Sequence, residues 1–347
     1  MDKIRLGRTG MNVSRIGFGG IPIQRDTEED AIKVVRKCLE LGINFLDTAN
    51  GYTTSEERIG KAVNGRRKNV FIATKSTSRA TDGVKEHLAL SLKRLGTDYI
   101  DLYQFHNVSD AESLEKILAP GGPLEAVRQA QKEGKIKHIG ITSHSRDMAI
   151  EAVKTDNFET VMFPFNFITL EAANDLIPLC RQHDVGFIAM KPFAGGQLDD
   201  PALAFKYLLQ FPDVLPIPGI EKPEEIEEIV RIIEGSTEMT EAEKQKMQKM
   251  RDELGTRFCR RCNYCQPCQM NIPISSVMTS VSFYKRMPPE RFFTENINEA
   301  MGKAAECIEC GECEERCPYK LPIRDMLVEL REWYQQEKEK YLKQVKR

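Results

Sequence analysis

Eight of the ten cysteines fall into two tight runs: Cys259, Cys262, Cys265 and Cys268, then Cys307, Cys310, Cys313 and Cys317. Thiolates are soft ligands, and cysteines spaced by two residues turn neighbouring sulfurs toward one site, so these runs point to bound zinc or iron. Four other residues offer a different chemistry, each at or just beyond the end of an apolar run. Asp47 follows Asn44-Phe45-Leu46, Tyr52 lies five residues later, Lys75 ends Val70-Phe71-Ile72-Ala73-Thr74, and His106 ends Ile100-Asp101-Leu102-Tyr103-Gln104-Phe105. Singly, each has a plain structural explanation: a turn start, a packed ring, a snorkelling lysine, a satisfied core histidine. Together they suit proton transfer to a substrate oxygen. An unaided phenol, with a pKa near 10, is a slow acid at neutral pH. An ammonium beside it stabilises the phenolate, and a carboxylate beside the ammonium keeps that charge in place. A histidine hydrogen-bonded to the same oxygen stabilises the negative charge that develops there.

Such residues need a scaffold that carries strand ends to one face. Eight short β-branched or apolar runs, at 15–19, 44–49, 70–75, 100–106, 138–143, 160–165, 185–192 and 214–218, alternate with amphipathic segments such as 28–41, 84–95, 124–133, 172–183 and 224–233. That alternation predicts βαβ units and a parallel sheet. Eight strands suggest a closed (β/α)8 barrel, with a doubly wound open sheet as the competing architecture. Gly-Arg-Thr-Gly after Leu6 is a turn signal and predicts a small hairpin ahead of the first barrel strand. Cys38 and Cys180 lie on apolar stripes of predicted helices and read as core residues.

The chain has 347 residues, more than the roughly 250 a barrel needs. Residues 238–254 form a highly charged helical run, and the cysteines follow at once, so the boundary is placed near Gly255. This gives a barrel domain at 1–255 and a mainly helical cysteine-rich domain at 256–347, in which 322–347 reads as an amphipathic helix with Met326, Leu327, Leu330 and Trp333 on one side. A net charge of −2 argues against nucleic acid or an anionic membrane as partner. No secretory signal and no apolar run near 18 residues is visible, so a cytoplasmic setting is expected.

Taken together, Asp47, Tyr52, Lys75 and His106 resemble the tetrad of the aldo-keto reductase family, in order and at the corresponding strands. Gly42-Ile43-Asn44-Phe45-Leu46-Asp47-Thr48-Ala49, Gly51-Tyr52, Ser55-Glu56-Glu57-Arg58-Ile59-Gly60 and Ile139-Gly140-Ile141 agree with the family as well. The resemblance spans about residues 3–235 and implies a nicotinamide-dependent reductase of aldehydes or ketones, with Tyr52 as general acid. It implies cofactor contacts from Gly19, Gly20, Thr142 and Ser143, and from a pyrophosphate loop, Lys191-Pro192-Phe193-Ala194-Gly195-Gly196-Gln197-Leu198. Met162 and Met190 stand where many members place a glutamine and a stacking tyrosine. Around the adenosine, Gly219, Lys222, Glu225 and Glu228 are implied. Gly219, Ile220 and Glu225 replace the Lys-Ser and Arg that hold a 2′-phosphate in NADPH-specific members, which favours NADH over NADPH.

The second cysteine run, C-x2-C-x2-C-x3-C followed by Pro318, resembles the bacterial ferredoxin signature for a [4Fe–4S] cluster. Eight cysteines would hold two clusters. The likeness to two-cluster ferredoxins implies that Cys317 completes the first site and Cys268 the second. Zinc is the alternative. The clusters have a structural role, or pass electrons to a redox partner protein. A second functional reading is an electron-transfer or redox-sensing protein whose barrel binds nucleotide with little turnover.

Overall fold

The computed structural model describes residues 1–345, which form two compact units, the first ending at Glu243 and the second beginning at Lys244. A hairpin opens the first unit, with β1 (Lys3–Arg5) antiparallel to β2 (Asn12–Ser14). Eight parallel strands follow in chain order: β3 (Phe18–Gly19), β4 (Phe45–Asp47), β5 (Phe71–Ser76), β6 (Ile100–Phe105), β7 (Ile136–Thr142), β8 (Thr160–Pro164), β9 (Gly186–Met190) and β10 (Val214–Ile217). The ring closes between β3 and β10. The backbones of Gly19 and Gly219 form a parallel bridge, and the amides of Gly17 and Gly19 donate to the carbonyls of Pro216 and Pro218 at 2.9 and 2.7 Å. Buried Arg15 fastens the seam, donating to the carbonyls of Val214 at 2.7 Å and Phe211 at 2.9 Å. This sequential strand order makes the closed barrel and excludes the doubly wound sheet. All eight expected strands are present, with ends shifted by a few residues.

The hairpin plugs the barrel. Leu6, Met11 and Val13 join Phe45, Ala73, Leu102, Met162, Ile188, Leu215 and Ile217 in one apolar cluster. Gly186 makes room for this plug, because a Cβ there would sit 2.7 Å from Leu6 Cγ. Outside the strands lie α1 (Glu28–Glu40), α2 (Ser55–Ala62), α3 (Thr81–Leu95), α4 (Ala111–Leu118), α5 (Pro123–Lys132), α6 (Arg146–Lys154), α7 (Leu176–Gln182), α8 (Pro201–Leu208) and α9 (Pro223–Glu234). α1 shows why these segments coil. Thr27 Oγ1 accepts from the Asp30 amide, three acidic residues fill the first turn, and Ala31, Val34, Val35 and Cys38 bury one stripe. Cys38 and Cys180 are both buried, as their stripes predict.

The division between the compact units falls ahead of the boundary expected near Gly255. α10 (Glu241–Gly255) spans it, and Gly255 marks that helix's far end instead. Met247 is its one buried residue, so the helix lacks the apolar stripe by which its sequence would announce where it belongs. The second unit continues with α11 (Ile274–Met278), α12 (Ser280–Tyr284), α13 (Pro289–Phe292), α14 (Glu295–Ala304), α15 (Glu312–Glu315) and α16 (Ile323–Val345). Its core gathers Phe292, Met301, Leu327 and Tyr334, with Leu330 and Trp333 against them. The expected terminal helix, 322–347, is thus found, apart from Lys346 and Arg347, which lie outside the described residues. Among the described residues no helix is long and apolar enough to cross a membrane.

Candidate functional site

Strand ends carry the four candidate residues to one place. Lys75 near the end of β5 and Asp47 at the end of β4 are both buried, and Lys75 Nζ donates to Asp47 Oδ2 and to the Thr48 carbonyl, each at 2.6 Å. Gln104 Nε2 donates to the other carboxylate oxygen at 3.3 Å. Nζ lies 5.0 Å from the centre of the Tyr52 ring, and that ring meets His106 edge to face at 5.8 Å between centroids. Burial opposes charge on both members of the ion pair and pushes the Asp47 carboxyl up. For Lys75, burial is outweighed by Asp47 and then by Tyr52, and the ammonium is held above its ordinary range. The lysine therefore stands charged between a carboxylate and a phenol.

The loop bearing Tyr52 is tied down from several sides. Thr48 Oγ1 donates to Ser55 Oγ at 2.9 Å, and Ser55 Oγ donates to the Gly20 carbonyl at 2.7 Å. Arg94 donates to the Asn50 carbonyl at 2.9 Å and to Glu56 at 3.3 Å, while Thr74 Oγ1 donates to the other oxygen of Glu56 at 2.6 Å. Glu56 is completely buried, so its charge needs both partners. Arg79 donates to the His106 carbonyl at 2.8 Å and so supports the histidine's backbone.

Several residues expected at the cofactor also serve the barrel's own structure. Thr142 Oγ1 accepts from the Asn107 amide at 2.8 Å, and Ser143 Oγ bonds the carbonyl and amide of Ser145 at 2.9 and 3.0 Å. Met162 belongs to the apolar plug cluster and Met190 packs against it. Gly19 and Gly219 allow ring closure; a Cβ on Gly219 would meet Pro22 Cγ at 2.7 Å. The Gly20 amide donates to the Asp47 carbonyl at 2.8 Å. In the glycine loop Lys191, Ala194, Gly195 and Gly196 all have positive φ. There the amides of Gly196, Gln197 and Leu198 turn onto the Phe193 carbonyl, Pro192 is buried, and the Phe193 ring packs edge to face on Phe205. Glu225 lies in the first turn of α9. Its carboxylate accepts from the amides of Glu221 and Lys222 at 2.8 and 3.1 Å, capping α9, while Lys222 and Glu228 are exposed. Pro223 at the first helical position and Glu225 at the third are the sequence signs of that cap.

In the second unit burial holds the Cys262 and Cys265 thiols above their ordinary range, with smaller contributions from Cys259 and Cys317 at Cys262 and from Cys259, Cys262 and Cys313 at Cys265. Cys307, Cys310 and Cys313 line a pocket together with Cys265, Cys268, Ile272 and Leu327. Cys317 thus acts on Cys262 of the first run, while Cys265 and Cys268 of the first run share a pocket with the second. Burial, reinforced by neighbouring cysteines, pushes the Cys265 thiol up to about 12. Burial and then Glu314 push Cys313 up to about 11. Among the described residues no three His, Cys, Asp or Glu side chains converge as ligands of a single ion. Thiols ringing a cavity suit a cubane, in which each sulfur binds a different iron, better than tetrahedral zinc.

Known proteins bear on both units. The sequence model of the Aldo/keto reductase family matches residues 15–202, and that of the 4Fe-4S dicluster domain matches residues 258–322. An uncharacterized oxidoreductase of Bacillus subtilis, YqkF, is 31% identical over 217 residues, covering 58% of this chain and 68% of the relative. L-Galactose dehydrogenase of Arabidopsis thaliana is 32% identical over 223 residues, with 58% and 69% covered. The solved holo form of the aldo-keto reductase AKR11C1 from Bacillus halodurans superposes with a TM-score of 0.63 at 29% identity, covering 72% of this chain and 96% of that one. A barrel with this site and these matches defines an oxidoreductase. The chain belongs to the aldo/keto reductase family, joined to a 4Fe-4S dicluster domain.

Proposed function

We propose that the protein reduces an aldehyde or ketone with a nicotinamide, and in reverse oxidises the alcohol. Bound nicotinamide supplies a hydride to the carbonyl carbon. Tyr52 gives its phenolic proton to the carbonyl oxygen, Lys75 steadies the phenolate left behind, and Asp47 holds Lys75 charged and in place. A His106 ring N–H donates to the same oxygen. The observation that carries this reading is the Lys75 ammonium, 2.6 Å from Asp47 and 5.0 Å from the Tyr52 ring inside a buried site.

NADH is the preferred nucleotide in this reading. The amides of Glu221 and Lys222 just ahead of α9 already donate to the Glu225 carboxylate, whose charge would repel a 2′-phosphate. Two [4Fe–4S] clusters are held by Cys259, Cys262, Cys265 and Cys317, and by Cys307, Cys310, Cys313 and Cys268. They supply one-electron transfer or a structural staple, and a reducing cytoplasm suits their free thiol ligands. Cys310 and Ile308 are exposed at the second site, which favours contact with a redox partner protein as a second role.

The test is an anaerobic titration with NADH before and after adding a panel of aldehydes. NADH consumed only with aldehyde supports the reductase, while cluster bleaching by NADH alone favours electron transfer. Tyr52→Phe should lower turnover by roughly 10² to 10⁴-fold with nucleotide affinity unchanged. Retained turnover overturns the assignment.

A further inference from the structure

Two buried side-chain oxygens of the barrel strands carry no hydrogen bond: Gln104 Oε1 and Thr160 Oγ1. Both residues are 0% exposed. Strand register sets them in one layer. Lys75 pairs with Gln104 across β5 and β6, Gln104 with Gly140 across β6 and β7, and Gly140 with Thr160 across β7 and β8. Residues level with one another across a sheet share a face, and Lys75 faces the barrel interior. Gly140 shapes this layer, since a Cβ there would lie 2.2 Å from Thr160 Oγ1 and 3.1 Å from Gln104 Cγ. The two side chains therefore meet over the same glycine. Their unused atoms are complementary, a hydroxyl donor and an amide acceptor. The other end of the amide is settled by chemistry: a carboxylate only accepts, so the N–H of Gln104 is what faces Asp47.

We propose that Thr160 and Gln104 are positioning residues for Asp47: the Thr160 hydroxyl acts on Gln104 Oε1 through one internal water and keeps the amide N–H turned toward the carboxylate. Without that donor the amide is free to flip, setting its oxygen against the carboxylate as acceptor against acceptor. The carboxylate then loses a hydrogen bond that favours its charged form and takes up a proton at higher pH. The groups around Asp47 are few. β5 brings Lys75, the loop before α2 brings Tyr52, β6 brings Gln104 and ends next to His106, and β3 brings only Phe18 and Gly19.

Infrared pH-difference spectra of the full chain read this without turnover, by following the C=O stretch of a protonated carboxyl with Asp47→Asn as blank. The Asp47 midpoint should rise by about one pH unit in Thr160→Val and Gln104→Met, and stay at the wild-type value in Thr160→Ser. An unmoved midpoint in Thr160→Val, or the same rise in Thr160→Ser, overturns the proposal. If Gln104→Met does not fold, the two Thr160 variants decide. In aldehyde reduction the acid limb of the kcat profile should move with the infrared midpoint while KM stays constant. A wild type that reduces no aldehyde counts against the proposed function and leaves the infrared result standing.

Discussion

In the barrel, a buried charge meets its opposite at 2.6 Å and a neutral donor completes the carboxylate, so the chain itself balances the site. In the cysteine-rich unit the grouped residues are like one another, and burial, with smaller help from neighbouring thiols, makes Cys265 and Cys313 resist ionisation. The first site is preorganised by protein alone, whereas the second reaches its full stability only with metal. Anaerobic chelation of iron should therefore unfold residues 244–345 while leaving the barrel intact, seen as protease cleavage confined to the second unit. Cleavage spread equally through the barrel would break the contrast.

Removing one partner from the balanced pair should expose what the balance is worth. Lys75→Met leaves Asp47 buried and unpaired and should cost about 3–5 kcal/mol in urea unfolding, much of it recovered by pairing it with Asp47→Leu. Equal costs for the single and double variants would show that the pair is not self-compensating. Packing sharpens the same contrast. Leu6→Ala in the plug should cost about 2–5 kcal/mol, while Ile308→Ala, at a residue 56% exposed beside the cysteines, should stay within about 0.5 kcal/mol. Glu225→Gln should have the smallest effect, weakening the α9 cap by about 0.3–1 kcal/mol and narrowing the NADH preference over NADPH by less than tenfold. Competitive binding of the two nucleotides measures it.

Much of this was legible in one dimension. Parallel strands buried on both faces read as unbroken apolar runs, so Phe71–Ser76 and Ile100–Phe105 stood out, and the ionisable residues at their ends stood out in turn. Glu225 shows the opposite case. Its charge suggested a nucleotide contact, but three-residue spacing from Lys222 made helix capping a nearer use for the carboxylate. Thr142 and Ser143 were legible as polar strand-end residues, yet loop closure took their hydroxyls.

The amino-acid sequence alone determined the strand–helix alternation, the four polar strand ends and the cysteine spacing, because each is set by local periodicity or by residues near in the chain. Only the tertiary structure decided ring closure at Gly19 and Gly219 and the layer that sets Gln104 level with Thr160. Those depend on register between segments far apart in sequence, where a shift of one residue turns every side chain to the other face.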